Sequence, residues 1–188
     1  MSPPQSEHSS GNASPTRARS FARAIRRGVR RESQAQARRH GAEEFIKTEL
    51  LKRLDITQYQ WEHATSGLPK PAAGSSMLSR DMLTFGQLIL NKGKWKGEQL
   101  IPEVYIERAT TPSRINKHYG FFWWVDDFTV GGKNYHSFQG RGAGGQFIFV
   151  FPELDLVVVI TSHNKGMGDM LKTLPQRIIP AFVAKERR

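Results

Sequence analysis

Apolar positions recur at three- and four-residue spacing in three stretches of the chain. Ala42–Leu54 places most of its large apolar residues near one face, which predicts an amphipathic helix. Arg80–Asn91 shows the same spacing, with Ser79 as a suitable N-cap and Gly93 just past its end. A shorter helix is predicted from Pro102 to about Ala109, because proline favours the first helical position.

The last helical pattern, Asp169–Ala184, contains Pro175 and Pro180. A proline inside a helix costs about 3 kcal/mol, so a break or kink is predicted near each. Between the helical stretches lie segments rich in β-branched and aromatic residues, which predict strands at Tyr119–Val125, Asn134–Gln139, Gln146–Phe151 and Leu156–Thr161.

Contiguous strands joined by short turns are typical of an antiparallel sheet. The order of helices, then strands, then a closing helix predicts an α+β fold with helices packed on an antiparallel sheet. The strands carry apolar residues for both faces of the sheet. We therefore expect the chain to be short of elements that cover both faces.

Charge divides the chain of 188 residues into two segments. Residues 1–40 are rich in Arg and Ser and hold nine Arg and two Glu, a large part of the net charge of +11. The few apolar residues of this segment bury too little surface to offset the entropy lost on ordering it. The composition therefore predicts a disordered segment. Residues 41–188 are only mildly basic, and we expect them to form the folded domain.

The composition of the chain argues against several classes of function. There is no Cys, so disulfides and thiolate metal sites are excluded. No apolar run is long enough to span a membrane, and no secretory signal is present, so the sequence assigns no compartment. The six His lack the spacing of a zinc site, and the Gly-rich run at 140–145 lacks the ending of a phosphate loop, so no metal or other cofactor is expected.

Two pairs of adjacent residues have ordinary structural interpretations. Asp126 and Asp127 are predicted to lie in a solvated turn rather than to form a pair of catalytic carboxylates. Trp123 and Trp124 should point to opposite faces of a strand, so core packing is favoured over the stacking of a ligand.

Several stretches, in order along residues 41–183, resemble the β-lactamase-related serine hydrolases, a family that includes class C β-lactamases, penicillin-binding proteins and serine esterases. The similar segments are Leu54–Thr57 with Tyr59–Glu62, Gly74–Met82, Phe85–Leu88, Gly93–Gly97, Tyr119–Trp124, Gly142–Gln146 and Pro152–Val159. Tyr119–Trp124 resembles the family's YG-x-G-W-W strand. The resemblance implies the C-terminal part of a β-lactamase/transpeptidase-like fold.

The family's chemistry uses three elements: a Ser-x-x-Lys nucleophile, a Tyr-x-Asn or Ser-x-Asn motif, and a Lys/His-x-Gly strand edge that binds the substrate and completes the oxyanion hole. The third element has a clear counterpart in Arg141, Gly142, Gly144, Gly145 and Gln146. Arg141 could attract an anion but cannot give up its proton as a histidine can. For this chain we favour the other interpretation, a Gly-rich turn before a buried strand.

The second element has a possible remnant at the start of the chain. Residues 3–12 resemble the family's P-P-G-x-x-F-x-Y-S-S-G-N pattern, with His8 in place of Tyr, followed by Ser9 and Asn12. The Arg-rich residues 13–40 then interrupt the resemblance. Our hypothesis is that they are out-of-frame or otherwise unrelated sequence.

The first element has one apparent match, Ser162 to Lys165. It follows the last predicted strand, whereas the family's nucleophile would lie upstream of residue 41, so we interpret it as a chance match. The resemblance therefore implies a truncated serine hydrolase, acting on amide or ester bonds in the intact family and inactive as this chain.

Two other classes of function stay open. The chain could be a non-catalytic module that binds a small amide or ester ligand through Arg141 and the Gly-rich edge. Alternatively, Arg-rich residues 17–39 could bind nucleic acid, but the rest of the chain is only mildly basic, so the sequence favours this function least. A partner chain could also supply the missing half of the domain.

Overall fold

The computed structural model of the protein describes residues 41–70, 73–163 and 167–183. The chain divides into two units at Ile46. In the first unit, the described residues 41–46 are helical. The second unit, Lys47–Arg188, contains the sheet and the candidate site.

The second unit begins with irregular helix. A π-helical segment, Lys47–Leu51, runs into a 3₁₀ turn, Lys52–Leu54, and Asp55 ends the turn in a left-handed conformation. Leu51 and Leu54, two of the predicted apolar positions, are buried. The predicted helical stretch is therefore present, although its hydrogen bonding departs from a regular α-helix.

Four antiparallel strands form the main sheet, and each pairs with the strand that follows it along the chain. Their bounds are Trp124–Val130 (β5), Lys133–Gly142 (β6), Gln146–Phe151 (β7) and Leu156–Ile160 (β8). The two-residue turn Gly131-Gly132 joins β5 to β6, and a 3₁₀ turn, Pro152–Leu154, joins β7 to β8. The predicted first strand is placed too early, because Tyr119–Trp123 forms a tight turn before β5.

Both faces of this sheet are covered by helices. On one face, Phe147, Phe149 and Phe151 pack with Ile179 of the helix Met167–Val183 (α3). On the other face, Val150 packs with Ile89 of the helix Ser79–Leu90 (α1) and Ile106 of the helix Glu103–Ala109 (α2). The expected shortage of covering elements is thus wrong for the described part of the chain.

The start of α1 differs from the prediction. Ser79 is the first helical residue, and Leu78 occupies the cap position with extended backbone and no side-chain hydrogen bond. Gly86 lies where α1 crosses the sheet, and a Cβ added there would overlap the Val157 side chain. Helix and sheet therefore approach more closely than any larger residue would allow.

Helix α3 continues through Pro175 and Pro180, so neither proline breaks it, and the kink predicted as the alternative stays a prediction. Pro175 is almost fully buried, and Ile179 is completely buried one turn later. Packing against the sheet outweighs the loss of a helical hydrogen bond at Pro175, whereas Pro180 is exposed and packing does not account for it.

Two short hairpins complete the described fold, and neither was predicted. Tyr59–Trp61 (β1) pairs with Ser75–Met77 (β2), and Lys94–Trp95 (β3) pairs with Glu98–Gln99 (β4). Strands of two or three residues carry too little alternation to be recognised from sequence. The β1–β2 hairpin forms one wall of the cavity described below.

Candidate functional site

The Gly-rich segment forms the tight connection between β6 and β7, which we call the hairpin tip (Gly142–Gln146). Gly142 pairs with Gln146, and Gly144 and Gly145 have φ values of +94° and +97°. Such values suit glycine and strain other residues. The structure thus brings all five residues of the predicted edge, Arg141 included, to one end of the sheet.

Hydrogen bonds from other parts of the chain hold the hairpin tip. Ser162 Oγ donates to Gly145 O at 2.9 Å and lies 3.2 Å from Gly144 O, and Gln146 Nε2 donates to Ser162 O at 2.7 Å. Gly144 N donates to Met167 Sδ at 3.1 Å, and Gly145 N to Gly142 O at 3.3 Å. An oxyanion-binding role for these N–H groups stays a prediction, and it would require them to leave their present partners.

Arg141 lies at the centre of a polar network on the sheet. Its Nη2 is paired with Asp126 Oδ2, and its Nε donates to Gln139 Oε1 at 2.8 Å. Asp126 Oδ1 lies 2.7 Å from His118 Nδ1. The Arg141 side chain is only 15% exposed, and its guanidinium stacks 4.7 Å from the Trp124 ring centroid. Asp126 therefore balances the charge of Arg141.

Two more side chains of β6 are fully buried beside this network. Ser137 faces Asp126 across the strand pair, and Gln139 faces Trp124. The described residues provide no hydrogen-bond partner for Ser137 Oγ or Gln139 Nε2. A buried polar group without a partner costs about 1–3 kcal/mol, so packing alone does not account for polar residues here.

Sequence reasoning missed this network. The structure places Asp126 and Asp127 in strand β5, where each lies 2.7 Å from a histidine ring nitrogen, rather than in the predicted turn. Trp123 packs in the core with Ile89, as expected, whereas Trp124 lines a cavity. Alternation of apolar and polar residues holds only along Phe128–Val130, which gave too weak a signal, and the strand was predicted to end at Val125.

An open cavity of about 310 Å³ lies beside Arg141. Its walls come from the β1–β2 hairpin, the aromatic loop (Tyr119–Trp124) and the end of β6: Trp61, Lys70, Ala73, Ser75, Tyr119, Phe122, Trp124 and Arg141. This volume is at the small end of the range of small-molecule sites.

The walls of the cavity are fixed by contacts within the protein. Trp61 Nε1 donates to Lys70 O at 2.8 Å, and Tyr119 packs edge-on against Trp124 at 4.8 Å. Lys70 Nζ lies 2.5 Å from Glu62 Oε2, and this hydrogen bond holds the pKa of Glu62 below its usual range. Each cation in the cavity wall thus has its own carboxylate.

Some predicted features fall outside the described residues. These are His8, Ser9 and Asn12 of the second motif, the Arg-rich segment and Lys165. Within the described ranges, no cluster of three metal-binding side chains occurs, and no helix is long and apolar enough to cross a membrane.

Comparisons with known proteins show which family and which solved structures this chain resembles. The family model described as Beta-lactamase matches residues 12–180. No curated protein sequence matches the chain. A protein from Bacillus anthracis described as a 6-aminohexanoate-dimer hydrolase aligns with a TM-score of 0.63 and 20% identity, covering 76% of this chain and 38% of that chain.

A second solved structure, described as a β-lactamase from Bacteroides dorei, aligns with a TM-score of 0.50 and 13% identity, covering 76% of this chain and 50% of that chain. At these identities the likeness concerns the fold. It confirms the predicted α+β, β-lactamase-like fold with helices packed on antiparallel sheet. The chain spans half or less of the length of either structure.

Proposed function

The chain belongs to the Beta-lactamase family, and from that premise we propose that residues 41–188 form the C-terminal part of a serine hydrolase domain with no acyl-transfer activity of its own. Intact members would hydrolyse amide or ester bonds through an acyl-serine. The alignment covers only 38% of the structure from Bacillus anthracis described as a hydrolase, which supports the proposal that this chain corresponds to part of a larger domain.

The position of Ser162 carries the proposal of inactivity. It begins the one Ser-x-x-Lys in the sequence. A nucleophilic serine needs a base that accepts its proton. The Ser162 hydroxyl instead donates to the carbonyl oxygen of Gly145, and the serine carbonyl accepts a hydrogen bond from Gln146. This arrangement favours a structural role, in which the serine fastens the hairpin tip.

Covalent labelling tests the proposal directly. We expect neither a fluorescent penicillin nor a fluorophosphonate to add mass to the folded chain in intact-mass spectrometry, with folding verified by circular dichroism. Ser162→Ala is the matched variant and should give the same spectrum. An adduct on the parent chain that maps to Ser162 and is absent from Ser162→Ala would refute the proposal.

The Arg-rich residues 13–40 are proposed to be unrelated to the hydrolase domain, although the family match begins at residue 12 and runs through them. Sequencing the source gene and its close relatives tests this. The same Arg-rich stretch in a continuous frame in relatives would contradict it. A partner chain that supplies the other half of the domain would appear as a stable complex on co-expression with the corresponding segment of a full-length relative.

The cavity supports a second candidate function, the non-catalytic binding of a small amide or ester. Its aromatic walls are fixed, and Arg141 lies in them. A saturable rise in melting temperature with penicillin would support this function if the rise disappears in Arg141→Met/Asp126→Asn. That double substitution removes both charges of the pair and so leaves no unpaired carboxylate. No rise in the parent chain would count against binding.

A further inference from the structure

Phe122 has an unusual backbone conformation. Its φ is +63°. Among the described residues, the other non-glycine residues with positive φ carry charged, non-aromatic side chains: Asp55, Lys92, Lys96 and Asp155. Aspartate is tolerated in this region better than most residues, while a bulky aromatic residue is a genuine outlier. Strained residues of this kind cluster at functional sites.

The surroundings impose this conformation on Phe122. Gly120 N donates to Trp123 O at 2.8 Å, which closes the aromatic loop. Phe121 N donates to Ala109 O at 2.9 Å, which fastens the loop to the end of α2. The backbone path is therefore set by the neighbours of Phe122 and does not depend on its ring.

Core packing does not explain the ring of Phe122. The residue is 64% exposed and belongs to neither hydrophobic cluster of the described residues. Its neighbour Phe121 at least contacts Tyr105, with ring centroids 6.4 Å apart. A small residue at position 122 would satisfy the backbone better, so the aromatic ring calls for another explanation.

Phe122 lines the cavity together with Trp61, Tyr119 and Trp124. Trp124 contacts both the Tyr119 ring and the Arg141 guanidinium, so its position is fixed before any ligand arrives. Arg141 and Lys70 are each paired with a carboxylate, so the walls carry little net charge. Their remaining N–H groups can donate to a carbonyl oxygen.

We propose that Phe122 is a specificity-determining residue, whose ring forms a side wall that packs against a planar, uncharged group of a ligand bearing a carbonyl oxygen. This inference rests on the ligand-binding function proposed for the same cavity. The inference names the residue that selects the ligand and the shape of ligand that this residue selects.

Three probes that share a benzene ring test the ligand class: N-methylbenzamide is uncharged, benzoate is an anion and benzylamine is a cation. Binding is followed by the indole N–H resonances of Trp61 and Trp124 in ¹H–¹⁵N spectra. We expect saturable shifts with N-methylbenzamide and weaker binding of both charged probes. Benzoate or benzylamine binding more tightly than the amide would overturn the uncharged class.

Phe122→Gly and Phe122→Leu test the residue. Aromatic contact predicts that each variant binds N-methylbenzamide more weakly, by roughly tenfold at most. Phe121→Leu, at the neighbouring exposed phenylalanine, should stay within about twofold of the parent. Phe122→Gly should keep or raise the melting temperature, since glycine suits positive φ; a structural role for the ring would lower it.

The outcomes separate the two proposals. Unchanged binding in Phe122→Gly would overturn the inference while the cavity remained a ligand site. No binding of any probe by the parent chain would overturn both the inference and the binding function beneath it. The proposed lack of acyl transfer would be unaffected in either case.

Discussion

The hairpin tip and the aromatic loop are both tight turns that contain motifs of the family, yet they have diverged in different ways. The hairpin tip keeps its glycines where φ is positive, and the chain's own Ser162 and Met167 bind its backbone. The aromatic loop has Phe122 at a position of positive φ, and this residue lines a cavity. Glycines therefore occur where the turn packs against the chain's own side chains, whereas a strained aromatic residue occurs where the turn borders open space.

The largest effect is expected at Gly120, at the base of the aromatic loop. A Cβ added there would overlap the Ala109 carbonyl oxygen and lie 3.0 Å from Thr111 O. Backbone atoms cannot move aside as a side chain can, so Gly120→Ala should lower the free energy of unfolding by about 3 kcal/mol. Urea denaturation followed by tryptophan fluorescence measures this.

Gly168→Ala is the matched control for Gly120→Ala. Gly168 lies in α3 with open space around its Cα, so alanine should be neutral or stabilise by up to about 1 kcal/mol. Equal stability of the Gly120→Ala variant and the parent would show that the aromatic loop is not fastened to α2 as described.

A smaller effect is expected at the hairpin tip with Gly145→Ala. The added Cβ would overlap Ser162 Oγ, and the φ of +97° strains alanine, so a loss of about 2 kcal/mol is expected. Gly132→Ala is the control for strain alone, because φ is +81° there and nothing lies within 4 Å of the added atom.

The clash at Gly145 can be relieved, unlike that at Gly120. In Gly145→Ala/Ser162→Ala the obstructing hydroxyl is gone, and the nearest remaining Ser162 atom lies 3.5 Å from the new Cβ. The double variant should therefore be more stable than additivity predicts. Additive losses would indicate that Ser162 does not pack on the hairpin tip.

Ser162→Ala alone should cost about 1 kcal/mol, the usual value for a hydrogen bond lost at a partly buried site. The measurement is again urea denaturation. A much larger loss would mean that the serine holds more than the hairpin tip, and no loss would mean that its hydrogen bonds are not formed in solution.

The sequence predicted the main sheet well because β6, β7 and β8 are dense in β-branched and aromatic residues, and Gly131-Gly132 marks a turn. It misplaced the start of β5, since the aromatic residues Tyr119–Trp124 have strand propensity but are bent by Gly120 into a turn. It predicted a break or kink in α3 near Pro175 and Pro180; no break occurs, and local propensity cannot register the burial that offsets the cost at Pro175.

The candidate site was only partly accessible from sequence. Arg141 and the glycines were identified by resemblance, but their partners come from distant segments: Asp126 from β5, His118 from the preceding loop and Ser162 from beyond β8. Such pairings depend on strand register, which short or shifted patterns do not specify. The cavity depends further on the β1–β2 hairpin, whose three-residue strands leave no clear pattern.

The smallest effect is expected from an exposed ion pair, in which Lys92 Nζ lies 2.9 Å from Glu103 Oε1 and links the end of α1 to the start of α2. This hydrogen bond lowers the pKa of Glu103 and raises the pKa of Lys92. The Glu103 contribution to stability is present above about pH 4.3 and is lost as the pH falls through the lowered pKa. The Lys92 contribution is present below about pH 10.4 and is lost as the pH rises through the raised pKa.

A double-mutant cycle with Lys92→Met and Glu103→Gln measures the coupling between these two side chains. It should be small but favourable at neutral pH in low salt, because both groups are exposed and solvent screens them. It should vanish in high salt and as the pH falls below the lowered pKa of Glu103. A coupling that persists under both conditions would mean that the pair acts by packing the two helix ends together rather than by charge.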